Sequence, residues 1–352
     1  MKTYLVTGGA GFIGSNFVCH LIESDPGCRV VNLDKLTYAA NLDNLREVKS
    51  SSRFQFVKGD ICNRELVEYL FSAFDIRGVF HLAAESHVDN SIAGPKVFID
   101  TNIQGTFSVL DVARQAWMSA PGTPRKGYED CRFLFVSTDE VYGSLRDTGL
   151  FTETTPFSPS SPYSASKAAA DMLVRSYHKT YGMNVVVTNC SNNYGPKQHP
   201  ENFIPLIIEK ALSGRPIPIY GDGCQIRDWL YVGDHCQAIK LVFETGRSGE
   251  SYNVGGRNEK ENLWIVDTIC SLLEERKPAA HGKYTDLITL VKDRPGHDRR
   301  YAIDATKLEQ ELGWRAEENL KSGLKKTVSW YLNQWTNRET VSERAASSQD
   351  RG

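Results

Sequence analysis

Ser137-Thr138-Asp139-Glu140-Val141-Tyr142-Gly143 sets two adjacent carboxyl groups where an apolar run ends, and Tyr163-Ser164-Ala165-Ser166-Lys167 follows it closely. Pro162 suits the first turn of a helix, so Tyr163 and Lys167 fall on one face at i, i+4. An ammonium beside a phenol favours the phenolate and lowers its pKa. Such a phenolate can take a hydroxyl proton while the carbon it leaves gives up hydride. Two neighbouring carboxyls resist joint ionisation, so one can act as acid and the other as base. Removing water from an alcohol by temporary oxidation needs these groups together, so the pattern predicts an enzyme.

The oxidation needs an electron acceptor, and Thr7-Gly8-Gly9-Ala10-Gly11-Phe12-Ile13-Gly14 supplies a place for one. Gly8 allows a tight turn, Gly11 lets a pyrophosphate approach the backbone, and Gly14 lets helix and strand pack closely. The helix that begins there aims its N-terminus at the phosphates. Asp34 closes the next strand, where its carboxylate can accept from a ribose diol and repels a 2′-phosphate. NAD is therefore expected over NADP. Asp60-Ile61 and Leu82-Ala83-Ala84-Glu85-Ser86 follow two further strands, and the small Ala83 and Ala84 leave room for a cofactor.

The elements that must position these residues are legible as an alternation. Short apolar runs at Tyr4–Thr7, Arg29–Leu33, Phe54–Val57, Gly78–Leu82, Arg132–Ser137 and Asn184–Thr188 lack a consistent polar alternation. Parallel strands buried on both faces read this way. Helix-like spacing at Phe12–Glu23 and Thr106–Met118 lies between them, which predicts an α/β fold with a doubly wound parallel sheet. After about residue 190 the rhythm breaks into turn-rich segments and helices near Phe203–Leu212, Val232–Glu244 and Leu263–Arg276. The expected organisation is a nucleotide-binding domain over 1–190 that carries the catalytic residues. A smaller mixed α/β substrate-binding lobe over 191–336 follows, with segments that return to the first domain, and then a frayed polar tail over 337–352. Ser119–Asp130 reads as a surface loop.

At 352 residues the chain is long enough for two lobes, and 40% hydrophobic with 24% charged residues is an ordinary globular balance. A formal net charge of −2 gives no electrostatic case for nucleic acid or an anionic membrane. No apolar run approaches the ~18–20 residues of a spanning helix, and the first residues lack signal-peptide anatomy, so a cytoplasmic protein is expected. The eight cysteines form no Cys-x-x-Cys pair. Reduced packing thiols, with no disulfide and no metal, are predicted.

The nucleotide loop, Leu82-Ala83-Ala84-Glu85-Ser86, Tyr163-Ser164-Ala165-Ser166-Lys167 and Asn192-Asn193-Tyr194-Gly195-Pro196 together resemble the extended short-chain dehydrogenase/reductase family over about residues 3–335. Ser137–Gly143 and Asp293–Tyr301 resemble the members that dehydrate a nucleotide-activated glucose across C5–C6. That resemblance implies Asp139 as acid, Glu140 as base, and Thr138 assisting Tyr163 and Lys167 at C4. It implies that Gly8, Gly11, Phe12, Ile13, Gly14, Asp34, Lys35, Thr37, Asp60, Ile61, Leu82, Ala83, Ala84, Thr101, Tyr163, Lys167 and Asn193 bind NAD. Ser86, Thr138, Asn192, Asn202, Pro218, Tyr220, Arg227, Asn258, Arg294 and His297 are expected to hold the nucleotide sugar. The guanidinium groups of Arg227 and Arg294 would clamp its diphosphate. Family members commonly pair as homodimers through helices that correspond to Thr101–Met118 and Ser164–Tyr181.

Two departures concern the nucleotide rather than the reaction. Asn202 stands where the family pattern usually has Lys, which removes a charge, and the tail lacks a final aromatic segment. The expected substrate is dTDP-glucose, with UDP-glucose as an alternative. A nucleotide-sugar 4-epimerase would need Tyr163 and Lys167 but not the adjacent Asp139 and Glu140. A catalytically silent NAD-binding regulator would need none of the four.

Overall fold

The computed structural model describes residues 1–293 and 297–349. In chain order the first strands are β1 (Lys2–Thr7), β2 (Cys28–Asp34), β3 (Phe54–Lys58), β4 (Ile76–His81), β5 (Arg132–Thr138) and β6 (Val185–Cys190). They are followed by β7 (Asn192–Tyr194), β8 (Ile217–Tyr220), β9 (Ile226–Tyr231), β10 (Ser251–Val254), β11 (Glu259–Glu261) and β12 (Ile288–Val291). The main helices are α1 (Phe12–Ser24), α2 (Arg64–Phe74), α3 (Thr106–Trp117) and α4 (Pro162–Tyr181). The second half adds α5 (Phe203–Leu212), α6 (Val232–Thr245), α7 (Asn262–Arg276) and α8 (Leu320–Gln349).

Seven strands form one parallel sheet in the order β10-β6-β5-β4-β1-β2-β3. The order reverses between β1 and β4, and ligands of such sheets bind outside the strand ends at that switch point. Alternate residues of one strand feed opposite cores. Leu134 and Val136 of β5 join Val6, Phe17, Phe80 and Ile239 on the α1/α6 face. Phe133 and Phe135 join Leu5, Val79, Leu110 and Val174 on the α2/α3/α4 face. Both faces are dry, which is why these strands show no polar alternation.

The second half builds two smaller sheets, β8 with β12 in parallel, and β7-β9-β11 of mixed direction. Ile204, Ile207, Ile208, Trp229, Ile265 and Ile269 form a separate core beneath them. β10 returns to the edge of the seven-stranded sheet, and α6 packs on α1. From Asn337 the chain continues in α8 as far as Gln349. Arg338-Glu339 and Glu343-Arg344-Ala345-Ala346 contain good helix formers, with neither Gly nor Pro to end the helix. Among the described residues no helix is long and apolar enough to cross a membrane.

Candidate active site

α1 begins directly after the glycine loop, and the loop's geometry explains its composition. Gly8 has φ +73, and a Cβ there would lie 2.7 Å from the Ala83 backbone. A Cβ on Gly14 would lie 2.1 Å from the Gly8 carbonyl oxygen, so only glycine lets α1 reach the loop. Asp34 Oδ2 accepts from Ala10 N–H and Oδ1 from Leu36 N–H, each at 2.8 Å. Burial pushes this carboxyl up, and the two N–H groups pull it back. Lys35 pairs with Asp60 at 2.7 Å. Burial opposes ionisation of Asp60, but Lys35 and the Cys62 N–H hold it below the usual carboxylate range.

One cleft runs from this loop to the end of β5. Gly8, Gly11, Phe12, Ile13, Gly14, Asp34, Lys35, Thr37, Asp60, Ile61, Leu82, Ala83, Ala84, Thr101 and Asn193 line it. So do Ser86, Thr138, Asp139, Glu140, Tyr163, Lys167, Asn192 and Asn202. The would-be Cβ clashes at Gly8 and Gly14, and a buried carboxylate fixed at the end of β2, are what a dinucleotide's pyrophosphate and ribose require. The residues present fit NAD. Among the described residues no group of His, Cys, Asp or Glu could hold a metal ion.

β5 ends at Thr138, and the carboxyls sit on the single 3-10 turn Asp139–Tyr142 that follows. The Thr138 hydroxyl accepts from Glu140 N–H at 3.3 Å and starts that turn. Asp139 is 2% exposed, and its Oδ2 is buried without a hydrogen-bond partner among the described residues. Burial first, and Glu140 second, push Asp139 well above the usual carboxylate range. A buried acid beside a half-buried carboxylate keeps its proton, the state a proton donor needs.

α4 carries the redox pair, and its start is fixed by a reciprocal cap. Ser161 Oγ accepts from Ser164 N–H at 3.1 Å, Ser164 Oγ accepts from Ser161 N–H at 3.0 Å, and Pro162 opens the first turn. Burial, then Glu140, push Tyr163 well above its ordinary value. Lys167 Nζ donates instead to the Val136 carbonyl at 2.7 Å, and burial pulls its own pKa down to about 8. In this state the phenol holds its proton.

Two supports went unnoticed in the sequence. Asn102 Oδ1 accepts from Glu85 N–H at 2.8 Å, and its Nδ2 donates to Glu85 O and to Ser166 Oγ, tying the Glu85-Ser86 loop to α4. Asn189 Nδ2 donates to Asp171 Oδ2 at 3.1 Å and to Thr138 O at 3.3 Å, which fixes the end of β5 from below. An Asn inside a helix or strand carries no periodic signal, so only the fold reveals these roles.

The remaining substrate candidates among the described residues lie in the second half, outside the cleft walls. Pro218 and Tyr220 are on β8, and Tyr220 meets the His297 ring edge-on at 6.3 Å. His297 Nδ1 lies 2.6 Å from Asp293 Oδ1. Arg227 is 5% exposed, donates to the Ile226 and Asp298 carbonyls, and stacks 4.4 Å over Tyr301. Asn258 gives its N–H to Asp228 Oδ1 at 2.7 Å and its Nδ2 to Trp229 O. Arg294 falls outside the described residues.

A glycine cradle at the switch point, with Tyr163 and Lys167 one helical turn apart in the same cleft, defines an extended short-chain dehydrogenase/reductase. Residues 5–327 match the family model described as GDP-mannose 4,6 dehydratase, and the chain belongs to that family. It is 55% identical over 337 residues to a dTDP-glucose 4,6-dehydratase of Xanthomonas campestris pv. campestris, covering 96% of this chain and 95% of the relative. A Neisseria gonorrhoeae enzyme of the same name is 55% identical over 344 residues, covering 97% and 98%. Among solved structures, a dTDP-glucose 4,6-dehydratase from Streptomyces venezuelae with NAD bound superimposes with a TM-score of 0.86 at 44% identity, covering 94% of this chain and 97% of that one. A UDP-glucose 4-epimerase from Thermotoga maritima shares the fold at 30% identity, with a TM-score of 0.82 over 95% of this chain and all of the other.

Proposed function

We propose that the chain is an NAD-dependent dTDP-glucose 4,6-dehydratase, a hydro-lyase that makes dTDP-4-keto-6-deoxyglucose for deoxysugar synthesis. The observation that carries this reading is the buried Asp139 beside Glu140, in one cleft with Tyr163, Lys167 and the nucleotide cradle. NAD, when bound, supplies a positive charge near Tyr163 and a hydride acceptor that takes hydride from C4 and returns it at C6. Tyr163, once the positive charges of the cofactor and of Lys167 favour its phenolate, takes the C4 hydroxyl proton, and Thr138 orients that hydroxyl. The C4 ketone acidifies the C5 proton, which Glu140 removes. Asp139 protonates the departing C6 hydroxyl, and its buried, proton-holding state suits that task. As hydride reaches C6, a proton exchanged with solvent returns from Glu140 to C5. A 4-epimerase would leave both carboxyls without work.

The second half carries the nucleotide end of the substrate, held by Asn202, Pro218, Tyr220, Arg227, Asn258 and His297, with Arg294 next to Asp293 in the sequence. Two copies pair through the helices over Thr101–Met118 and Ser164–Tyr181, where the large apolar residues Phe107 and Met172 are 41% and 55% exposed, which supports this pairing. The enzyme works in the cytoplasm.

The test is incubation of the purified protein with dTDP-glucose and catalytic NAD in deuterated water, read by mass and NMR. Loss of water with deuterium at C5 and no net NADH is expected. Unchanged mass with conversion to the galacto sugar would make the chain an epimerase and remove the roles of Asp139 and Glu140.

A further inference from the structure

Strand register lines up three short segments across the mouth of the site. β5 and β6 pair in parallel with Thr138 opposite Cys190. β7 and β9 pair in parallel with Asn192 opposite Trp229. Thr138 and Trp229 therefore pair with the two ends of the segment Cys190–Asn192, which sets Asp139 and Asp228, the residues next to them in the chain, about two strand spacings, ~10 Å, apart.

Asp228 is 1% exposed and carries a carboxyl group far from solvent. Its Oδ1 accepts from Asn258 N–H at 2.7 Å, and its Oδ2 accepts from Gly256 N–H at 2.9 Å. A Cβ on Gly255 would lie 2.8 Å from that second oxygen, so the 255–258 loop closes tightly over the carboxyl. Burial pushes Asp228 up, and the two backbone donors pull it back toward the charged form. Nothing in the proposed reaction uses this group, although it lies within ~10 Å of the acid.

We infer that the fixed negative charge of Asp228 is a positioning device for the reaction, holding a proton on Asp139 so that the acid is loaded when the C6 hydroxyl departs. The inference rests on the dehydratase reading of the site. Burial, Glu140 and Asp228, in that order, raise Asp139, while Arg227 on β9 opposes them. The other groups facing Asp139 are Tyr142 on its own turn, Tyr163 from α4 and Cys190 from β6. Burial holds all three above their ordinary values, so none of them replaces Asp139 as the first of this cluster to lose a proton.

The titration of Asp139 is read directly in the NAD-loaded enzyme, as the infrared band of a protonated carboxyl that disappears in the matching D139N background. Asp228→Asn and Asp228→Ser should move its midpoint down by about one pH unit. That is the effect of one like charge ~10 Å away at an effective dielectric of ~20. The high-pH limb of water loss, measured in single turnover as the fall in product mass, should move with it. Asp228→Ser is included because the Asn amide would face a backbone N–H and can impair folding. Asp228→Glu, which perturbs packing but keeps the charge, should retain the wild-type midpoint. An unmoved midpoint in the neutral variants, or an equal shift in Asp228→Glu, overturns the inference. Wild-type enzyme that does not dehydrate the sugar overturns the dehydratase reading instead, whatever the midpoint does.

Discussion

Lys167 donates to the carbonyl oxygen of Val136 at 2.7 Å, on the strand that leads to the catalytic turn, and Tyr163 one helical turn earlier receives no hydrogen bond from it. Its ammonium also lies 4.2 Å from the Phe135 ring. The lysine therefore ties α4 to β5 while standing ready as a cation in a dry cleft. The i, i+4 spacing places the pair on one face. It does not say which acceptor the ammonium meets.

A pH prediction follows from that burial. Lys167 falls from an ordinary 10.5 to about 8 in the folded chain. Between those values the unfolded chain binds more protons than the folded one, so this group makes stability rise with pH. Wild-type protein should gain about 3 kcal/mol relative to Lys167→Met between pH 8 and 10.5. Urea unfolding of both proteins across that range checks it. Parallel pH profiles would mean the ammonium is not buried as described.

The carboxyl pair should separate under mutation. Glu140→Gln is expected to keep C4 oxidation, seen as NADH in a single turnover, while C5 deuterium exchange falls by ~10²–10⁴. Asp139→Asn should do the reverse at the next step, keeping exchange and losing water elimination by a similar factor. Equal loss of exchange in both variants would mean that the two carboxyls act as one unit.

Asp171 tests how far the site depends on what lies below it. Its side chain is 0% exposed, pairs with Arg175 and accepts from Asn189 at 3.1 Å. Asp171→Ala removes the carboxylate that pairs with Arg175 and one of the two acceptors of the Asn189 amide, at a cost of about 3–5 kcal/mol. Because Asn189 also donates to Thr138 O, turnover of the folded fraction should fall as well. Denaturant midpoints and activity at equal folded fraction separate the two effects.

Much of the site was legible because its chemistry is local in sequence. The glycine loop, Asp34, the Asp139-Glu140 turn and the Tyr163–Lys167 helix each need one short stretch, and the fold brings all of them to one cleft. What stayed hidden depends on contacts between distant segments. Asn102 with Glu85, Asn189 with Asp171, and Asp228 with the 255–258 loop are polar residues whose partners only the sheet register supplies. The same reason explains Arg227. Guanidinium chemistry suggested a phosphate clamp but could not show that the chain folds the carbonyls of Ile226 and Asp298 around it.

Asn202 gives the sharpest test of where the diphosphate lies. It precedes α5, lines the cleft and donates from Nδ2 to His199 O at 3.2 Å. Lys at this place adds one positive charge within reach of the cleft. It also sets that charge at a helix N-terminus, which costs about 0.3–1 kcal/mol of stability. The two effects have opposite signs on different readouts, so they can be told apart. Asn202→Lys should lower the unfolding midpoint slightly while lowering KM for dTDP-glucose by ~3–10-fold at low salt. Raising ionic strength toward 1 M, where the Debye length shrinks to about 3 Å, should erase most of the KM gain. A KM that does not respond to the substitution would place the diphosphate away from the start of α5, with only the cost to the helix remaining.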